Sequence, residues 1–261
     1  MKKITDYRAL AFFDLDGTLL NAESKVDAEV AWAIAKIREN GVLPLIATGR
    51  GHFELGPIME ATGITGAIAM NGQYIVLDGE VLYKEAIPKT SIKKLAEAAQ
   101  SQQEALAYYD DNGYWVDQMN DFVKRAYGHT HMPLPAVDSE KAWQGEVYMM
   151  LALTDQLSQV DFYREAVPEL NFFMNTPTSI DITNISTNKG TGVKHLKEVL
   201  GFTGETYAFG DGRNDLHLLS ACDHKTAMGN AVPELMELAD FVTTANTDHG
   251  IVNAFEHWGI L

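Results

Sequence analysis

The run Ala9–Phe13 is apolar at every position, which predicts a strand buried on both faces and so a place inside a parallel sheet. Val26, Val30, Ile34 and Ile37 then recur at helical spacing until Gly41, and Val42–Ala47 is a second apolar run, which together make a βαβ unit. A helical stretch over 53–61 leads to a strand near 67–70. Residues 73–77 and 80–83 read as a hairpin closed by Asp78-Gly79, a dipeptide that accepts the positive φ of a tight turn.

Beyond residue 84 the alternation changes. A helix at 91–102, two strands flanking Asp111 to Gly113, a helix at 120–127, a Pro-containing loop, a strand at 146–153, a helix at 156–166 and strands at 171–174 and 179–183 make an antiparallel α+β pattern. From Lys189 the doubly wound pattern resumes, with helix Lys189–Leu200, strand 207–209, helix 215–221, strand 225–228, helix Pro233–Leu238 and strand Phe241–Val242. The expected architecture is an α/β, Rossmann-like core with a parallel sheet, discontinuous over 1–83 and 187–261, interrupted by an inserted α+β domain over 84–186.

Composition narrows the function. A chain of 261 residues with 46% hydrophobic and 21% charged residues is a folded domain, outside the disordered and fibrous classes. Its 36 acids against 20 bases give a formal charge of −16, which disfavours nucleic acid and anionic membrane as partners. Cys222 is the single cysteine, so an intramolecular disulfide and a multi-thiolate zinc site are excluded. Lys2 and Lys3 precede an apolar run too short for a signal peptide and broken by Asp14 and Asp16, and no stretch is long enough to span a bilayer. A cytoplasmic location is expected; the sequon Asn184 to Ser186 would matter only in a secreted chain.

The candidate chemistry sits at strand ends. Asp14 and Asp16 follow the first strand in Phe12-Phe13-Asp14-Leu15-Asp16-Gly17-Thr18-Leu19, at the edge where open α/β sheets bind ligands. A side-chain period of two would aim both acids into one crevice, where a divalent cation could offset their repulsion while one acid acts as a proton donor. Phe209-Gly210-Asp211-Gly212-Arg213-Asn214-Asp215 repeats the arrangement after a later strand, and convergent oxygen ligands suit a hard cation. Thr48-Gly49-Arg50 offers a hydroxyl, a backbone N–H and a cation to phosphate oxygens, and Lys189 opens a helix whose N-terminus attracts anions. Each of these segments alone also reads as ordinary turn, cap or surface chemistry. His129 and His131 lack a third ligand and are set aside as loop residues; Tyr108, Tyr109, Tyr114 and Trp115 read as cross-strand aromatic pairs.

Together, in this order, the segments resemble the haloacid dehalogenase superfamily of phosphatases, specifically its Cof-like sugar-phosphatase branch. The likeness spans nearly the whole chain and includes Ala227-Met228-Gly229-Asn230-Ala231 and Ala239-Asp240-Phe241-Val242. It implies that Asp14 is the nucleophile forming an aspartyl-phosphate and Asp16 the general acid and base. It further implies Mg²⁺ held by the Asp14 carboxylate, the Asp16 backbone carbonyl and Asp211, with Asp215 as a supporting or water-linked ligand. Phosphate would meet Leu15, Thr48, Gly49, Lys189 and Asn214, and the insert would be a cap that closes over the crevice and selects the leaving group. The resulting expectation is a Mg²⁺-dependent phosphatase of small phosphorylated metabolites, sugar phosphates first. The alternatives are a phosphomutase, or a catalytically silent regulator that binds a phosphorylated ligand.

Overall fold

The structure is a computed structural model describing residues 6–129, 133–156 and 158–261. Lys2, Lys3 and His131 lie outside them. The described chain divides into two compact units, one of residues 1–83 and 188–261, the other of 84–187. Thr187, assigned from sequence to the core, belongs to the second unit, where its hydroxyl donates to the Asn184 carbonyl at 2.9 Å.

In the first unit an eight-stranded sheet runs in the order β14-β13-β12-β1-β2-β3-β4-β5. Its strands are β1 (Ala9–Phe13), β2 (Val42–Ala47), β3 (Gly66–Ala69), β4 (Tyr74–Leu77), β5 (Glu80–Lys84), β12 (Glu205–Gly210), β13 (His224–Ala227) and β14 (Phe241–Val242). The six strands from β14 to β3 are mutually parallel, and β4 returns antiparallel to β3. β1 and β2 are buried at every position, as their unbroken apolar runs require.

Side chains alternate between two helical layers. Leu10 and Phe12 pack with Val193 and Leu196 of α7 (Lys189–Leu200), Leu218 of α8 (Leu216–Ser220) and Leu235 of α9 (Pro233–Leu238). Phe13 turns to the opposite face, where it stacks on Phe209 at 4.7 Å, and Phe255 meets both rings edge-on at 5.7 and 5.4 Å. Phe255 belongs to α10 (Gly250–Trp258), a helix the sequence reading did not assign; with α1 (Ala28–Glu39) it covers this face. The helix expected over 53–61 is instead a 3₁₀ turn, His52–Glu54, followed by α2 (Gly56–Thr62), because Pro57 is suited to the first turn of a helix and not to its interior.

The second unit has a six-stranded sheet ordered β10-β11-β9-β6-β7-β8. These are β6 (Ala105–Tyr109), β7 (Tyr114–Val116), β8 (Ala136–Val137), β9 (Met149–Leu153), β10 (Leu170–Thr176) and β11 (Ser179–Asn184). Pairing is antiparallel except between β7 and β8. α3 (Lys89–Ser101) and α6 (Ser158–Ala166) cover one face, joining Ile92, Leu95 and Tyr163 to Leu106, Tyr108, Trp115, Met150 and Ile180. Tyr108 stacks on Trp115 and Tyr109 on Tyr114, both at 5.6 Å, as aromatic cross-strand pairing predicts. α4 (Asp121–His129), the short α5 (Lys141–Gln144) and β8 complete the unit; His129, read as a loop residue, ends α4, and α5 and β8 fall where the sequence reading had a loop or nothing.

Candidate active site

Because the central strands are parallel, the residues after β1, β2, β3 and β12 share one edge of the sheet. Asp14 leaves β1 with its N–H donating to the Phe209 carbonyl at 3.0 Å, and its carboxylate is buried. Lys189 is fully buried at the start of α7 and reaches Asp14 Oδ1 at 2.5 Å and Asp215 Oδ1 at 2.7 Å. Gly190 lets α7 come this close to α8: a Cβ there would strike the His217 carbonyl. The other oxygen of Asp215, Oδ2, accepts from the N–H groups of Asp211 and Gly212 at 3.0 and 2.9 Å, so one buried side chain ties the β12 loop to the lysine. Thr18 donates to Asp211 Oδ1 at 2.9 Å. Gly17, at φ +81°, lies where any Cβ would collide with the Asp211 carboxylate, so the turn after β1 can close onto Asp211 only with glycine there.

Carboxylate oxygens of Asp14, Asp211 and Asp215 lie within 4.8 Å of one another. Three carboxylates thus face one ammonium, an excess of two negative charges when all are ionised. Burial pushes the Asp14 carboxyl well above the usual range against the pull of Lys189, and Asp215 and Asp211 add to the rise. Asp211 is pushed up to about 6, first by burial and then by Asp215, with the Thr18 hydroxyl opposing. Lys189 is held cationic by the two carboxylates in spite of its burial. Oxygen donors converging within this distance, with two carboxylates more than the single ammonium can neutralise, fit a hard divalent cation.

Asp16 goes elsewhere. Backbone bonds from Thr18 to Leu15 and from Leu19 to Asp14 turn the chain after β1, so the period of two expected to aim both acids the same way does not apply. Its side chain is exposed and gripped by both faces of the Arg50 fork: Nε donates to Oδ2 at 2.9 Å and Nη2 to Oδ1. Arg50 is anchored in turn, its N–H donating to the Thr48 hydroxyl at 3.1 Å and its carbonyl accepting from the Met70 N–H at 3.0 Å. Thr48 and Leu15 are buried at the same sheet edge, and Gly49 continues the β2 loop. Asn214 donates to Asn71 Oδ1 at 3.4 Å, and the Asn71 N–H donates to the Thr48 carbonyl at 3.0 Å.

Sequence reasoning thus brought Asp14, Lys189, Asp211 and Asp215 to one cluster but left three contributors unassigned. Arg50 was read only as a cation for phosphate. Asn71, buried at φ +53°, follows β3 as an Asn-Gly pair, so the strand-end rule could have found it. Asn230 donates to the Gly17 carbonyl at 2.9 Å and accepts from the Asn246 N–H at 3.0 Å, a brace on the first acidic turn that lies in the 227–231 segment of the family likeness but has no role assigned from sequence.

Comparison with known proteins gives a concordant result. A profile described as haloacid dehalogenase-like hydrolase matches residues 11–255. YkrA of Bacillus subtilis is 33% identical over 97% of this chain and 98% of its own. The 5-amino-6-(5-phospho-D-ribitylamino)uracil phosphatase YwtE of the same organism is 26% identical over 91% of this chain and 93% of its own. Among solved structures, the HAD subclass IIB sugar phosphatase BT4131 superposes with a TM-score of 0.87 at 29% identity, covering 97% of this chain and 99% of that one.

Proposed function

The chain belongs to the haloacid dehalogenase-like hydrolase family and is one of its phosphatases, and from that premise we propose that it hydrolyses small phosphorylated metabolites with Mg²⁺ through an aspartyl-phosphate on Asp14. The observation that carries the reading is the buried Asp14–Lys189–Asp215 network beside Asp211 at the parallel-strand edge. Lys189 fixes Oδ1 of Asp14 and leaves Oδ2 to attack phosphorus. As the ester bond breaks, Asp16 gives its proton to the leaving oxygen. Asp16 then takes a proton from the water that attacks the phosphoenzyme, which frees phosphate and restores the Asp14 carboxylate. Thr48, Gly49, Asn214, Lys189 and the Leu15 backbone hold the phosphate oxygens.

Asp14, Asp211 and the Asp16 backbone carbonyl would hold Mg²⁺, which supplies charge stabilisation on the transferring phosphoryl group. Asp215 would support the site from beside the metal, and with both of its oxygens it orients Lys189 and the β12 loop. Sugar phosphates remain the first candidates, in line with BT4131, and phosphorylated pyrimidines are the natural comparison, in line with YwtE. The charge of −16 argues for small substrates over nucleic acid, and a lone buried cysteine agrees with a cytoplasmic place.

The test is phosphate release from a panel of sugar phosphates, phosphorylated pyrimidines and phosphorylated cofactors, with Mg²⁺ and with chelator, for the natural chain and Asp14→Asn. Release that needs Mg²⁺ and falls by ~10⁴-fold or more in the variant is expected. Undiminished release by Asp14→Asn would refute the reading.

A further inference from the structure

We propose that Arg50 is a positioning residue for Asp16: its guanidinium fork sets the plane and direction of the carboxylate that must trade protons with the leaving group and with water. This rests on the assignment of Asp16 as acid and base given above. The geometry has three parts. Asp16 sits on a turn with its side chain 59% exposed, so packing does little to choose its rotamer. Arg50 takes both of its oxygens, Nε to Oδ2 at 2.9 Å and Nη2 to Oδ1, and among the described residues no other side chain is hydrogen-bonded to them. Finally, the Arg50 backbone is tied at both ends, to the Thr48 hydroxyl and the Met70 N–H, so the fork projects from a fixed base.

A planar fork on a planar carboxylate restricts rotation as well as distance, which a lysine ammonium cannot do. The pair has little to offer the fold, because its acid is exposed and its arginine only partly covered, and ion pairs that water reaches contribute little stability. Its value lies in orientation, where a displacement of about 1 Å can cost about 10²-fold in rate. With Nε and one Nη2 hydrogen on Asp16, only the Nη1 hydrogens and the second Nη2 hydrogen are left for any contact of Arg50 with phosphate, and the double-mutant test below separates that role from positioning.

A double-mutant cycle separates the two roles: the natural chain, R50Q, D16N and D16N/R50Q, with p-nitrophenyl phosphate and glycerol phosphate as probes at saturating Mg²⁺. Positioning predicts that R50Q lowers kcat for glycerol phosphate by about 10- to 100-fold with KM within about twofold, and causes no further loss in the D16N chain. R50K, which keeps the charge and loses the fork, should fall between R50Q and the natural chain, and it carries the same test if R50Q folds poorly. A rise in KM with kcat kept, or the same proportional loss in both backgrounds, would overturn the role of Arg50 while leaving the acid–base reading intact. Full turnover by D16N would overturn that reading itself, and the proposal with it.

Discussion

Two carboxylate–cation pairs leave the same end of β1 two residues apart, and they stand in opposite solvents. Asp14 and Lys189 have side chains 11% and 0% exposed, with Asp215 at 0% completing the network; Asp16 and Arg50 are 59% and 27% exposed. In the first pair, each charge has lost water and depends on its partners, so the arrangement is held by electrostatics that would be costly to break. In the second, water screens the attraction, and what the pair supplies is direction. The difference fits the division of labour that the proposed phosphoryl transfer requires. A nucleophile and the cation beside it need a fixed, dry setting, whereas a group that gives a proton to one partner and takes one from another needs access to water.

The largest effect should come from cutting the buried pair. Lys189→Met leaves Asp14 and Asp215 buried without their cation, and in cation-free buffer it should cost ~3–5 kcal/mol of unfolding free energy, read by urea denaturation. Turnover should fall by ~10²–10³-fold or more, because the charge on the transferring oxygens loses a preorganised partner. A variant as stable and as active as the natural chain would erase the distinction between the pairs.

Next comes pH. Asp211 is pushed up to about 6, so if it holds Mg²⁺ as proposed, protons compete with the ion for the same oxygens. Mg²⁺ affinity, measured by calorimetric titration, should weaken by up to about tenfold per pH unit as pH falls below about 6. Without Mg²⁺ the sign reverses. A carboxyl with a raised folded-state pKa contributes stability that is present below its unfolded value and lost as pH rises towards 6. The cation-free chain should therefore lose part of its stability between about pH 4 and 6, and Mg²⁺ should restore it at the upper end. Affinity and stability that stay flat through this window would contradict the assignment.

A smaller change tests the edge of the buried cluster. Thr18→Val removes the hydroxyl that donates to Asp211 Oδ1, costing ~1–2 kcal/mol and reducing Mg²⁺ affinity a few-fold near pH 6, since Asp211 then holds its proton more firmly. The smallest stability effect is expected at the exposed pair, where R50Q should shift unfolding by less than ~1 kcal/mol. A loss as large as that of Lys189→Met would make Arg50 a structural residue.

The same contrast explains what the sequence made legible. Unbroken apolar runs such as Ala9–Phe13 and Val42–Ala47 announce central parallel strands, and acids just beyond them announce the ligand edge, because both signals are local. The common cluster of Asp14, Lys189, Asp211 and Asp215 follows once those strands are placed side by side. The direction of Asp16 does not follow, since it is set by the turn at residues 15–18 and by a guanidinium 34 residues away. Nor was α10 read, although Ile251, Ala254, Phe255 and Trp258 have helical spacing; the polar stretch before it masked the start, at His249 with φ +56°. Its loss from the reading mattered, because Phe255 packs on the strands that carry Asp14 and Asp211.

The most direct measurement is to trap the covalent intermediate. Asp16→Ala, incubated with Mg²⁺ and p-nitrophenyl phosphate, whose leaving group needs no proton, is quenched in acid and its peptides are analysed by mass spectrometry. A phosphoryl group on Asp14, absent from the Asp14→Asn chain, is the predicted result. Phosphate release with no modified peptide, or a phosphoryl group on another residue, would contradict the account.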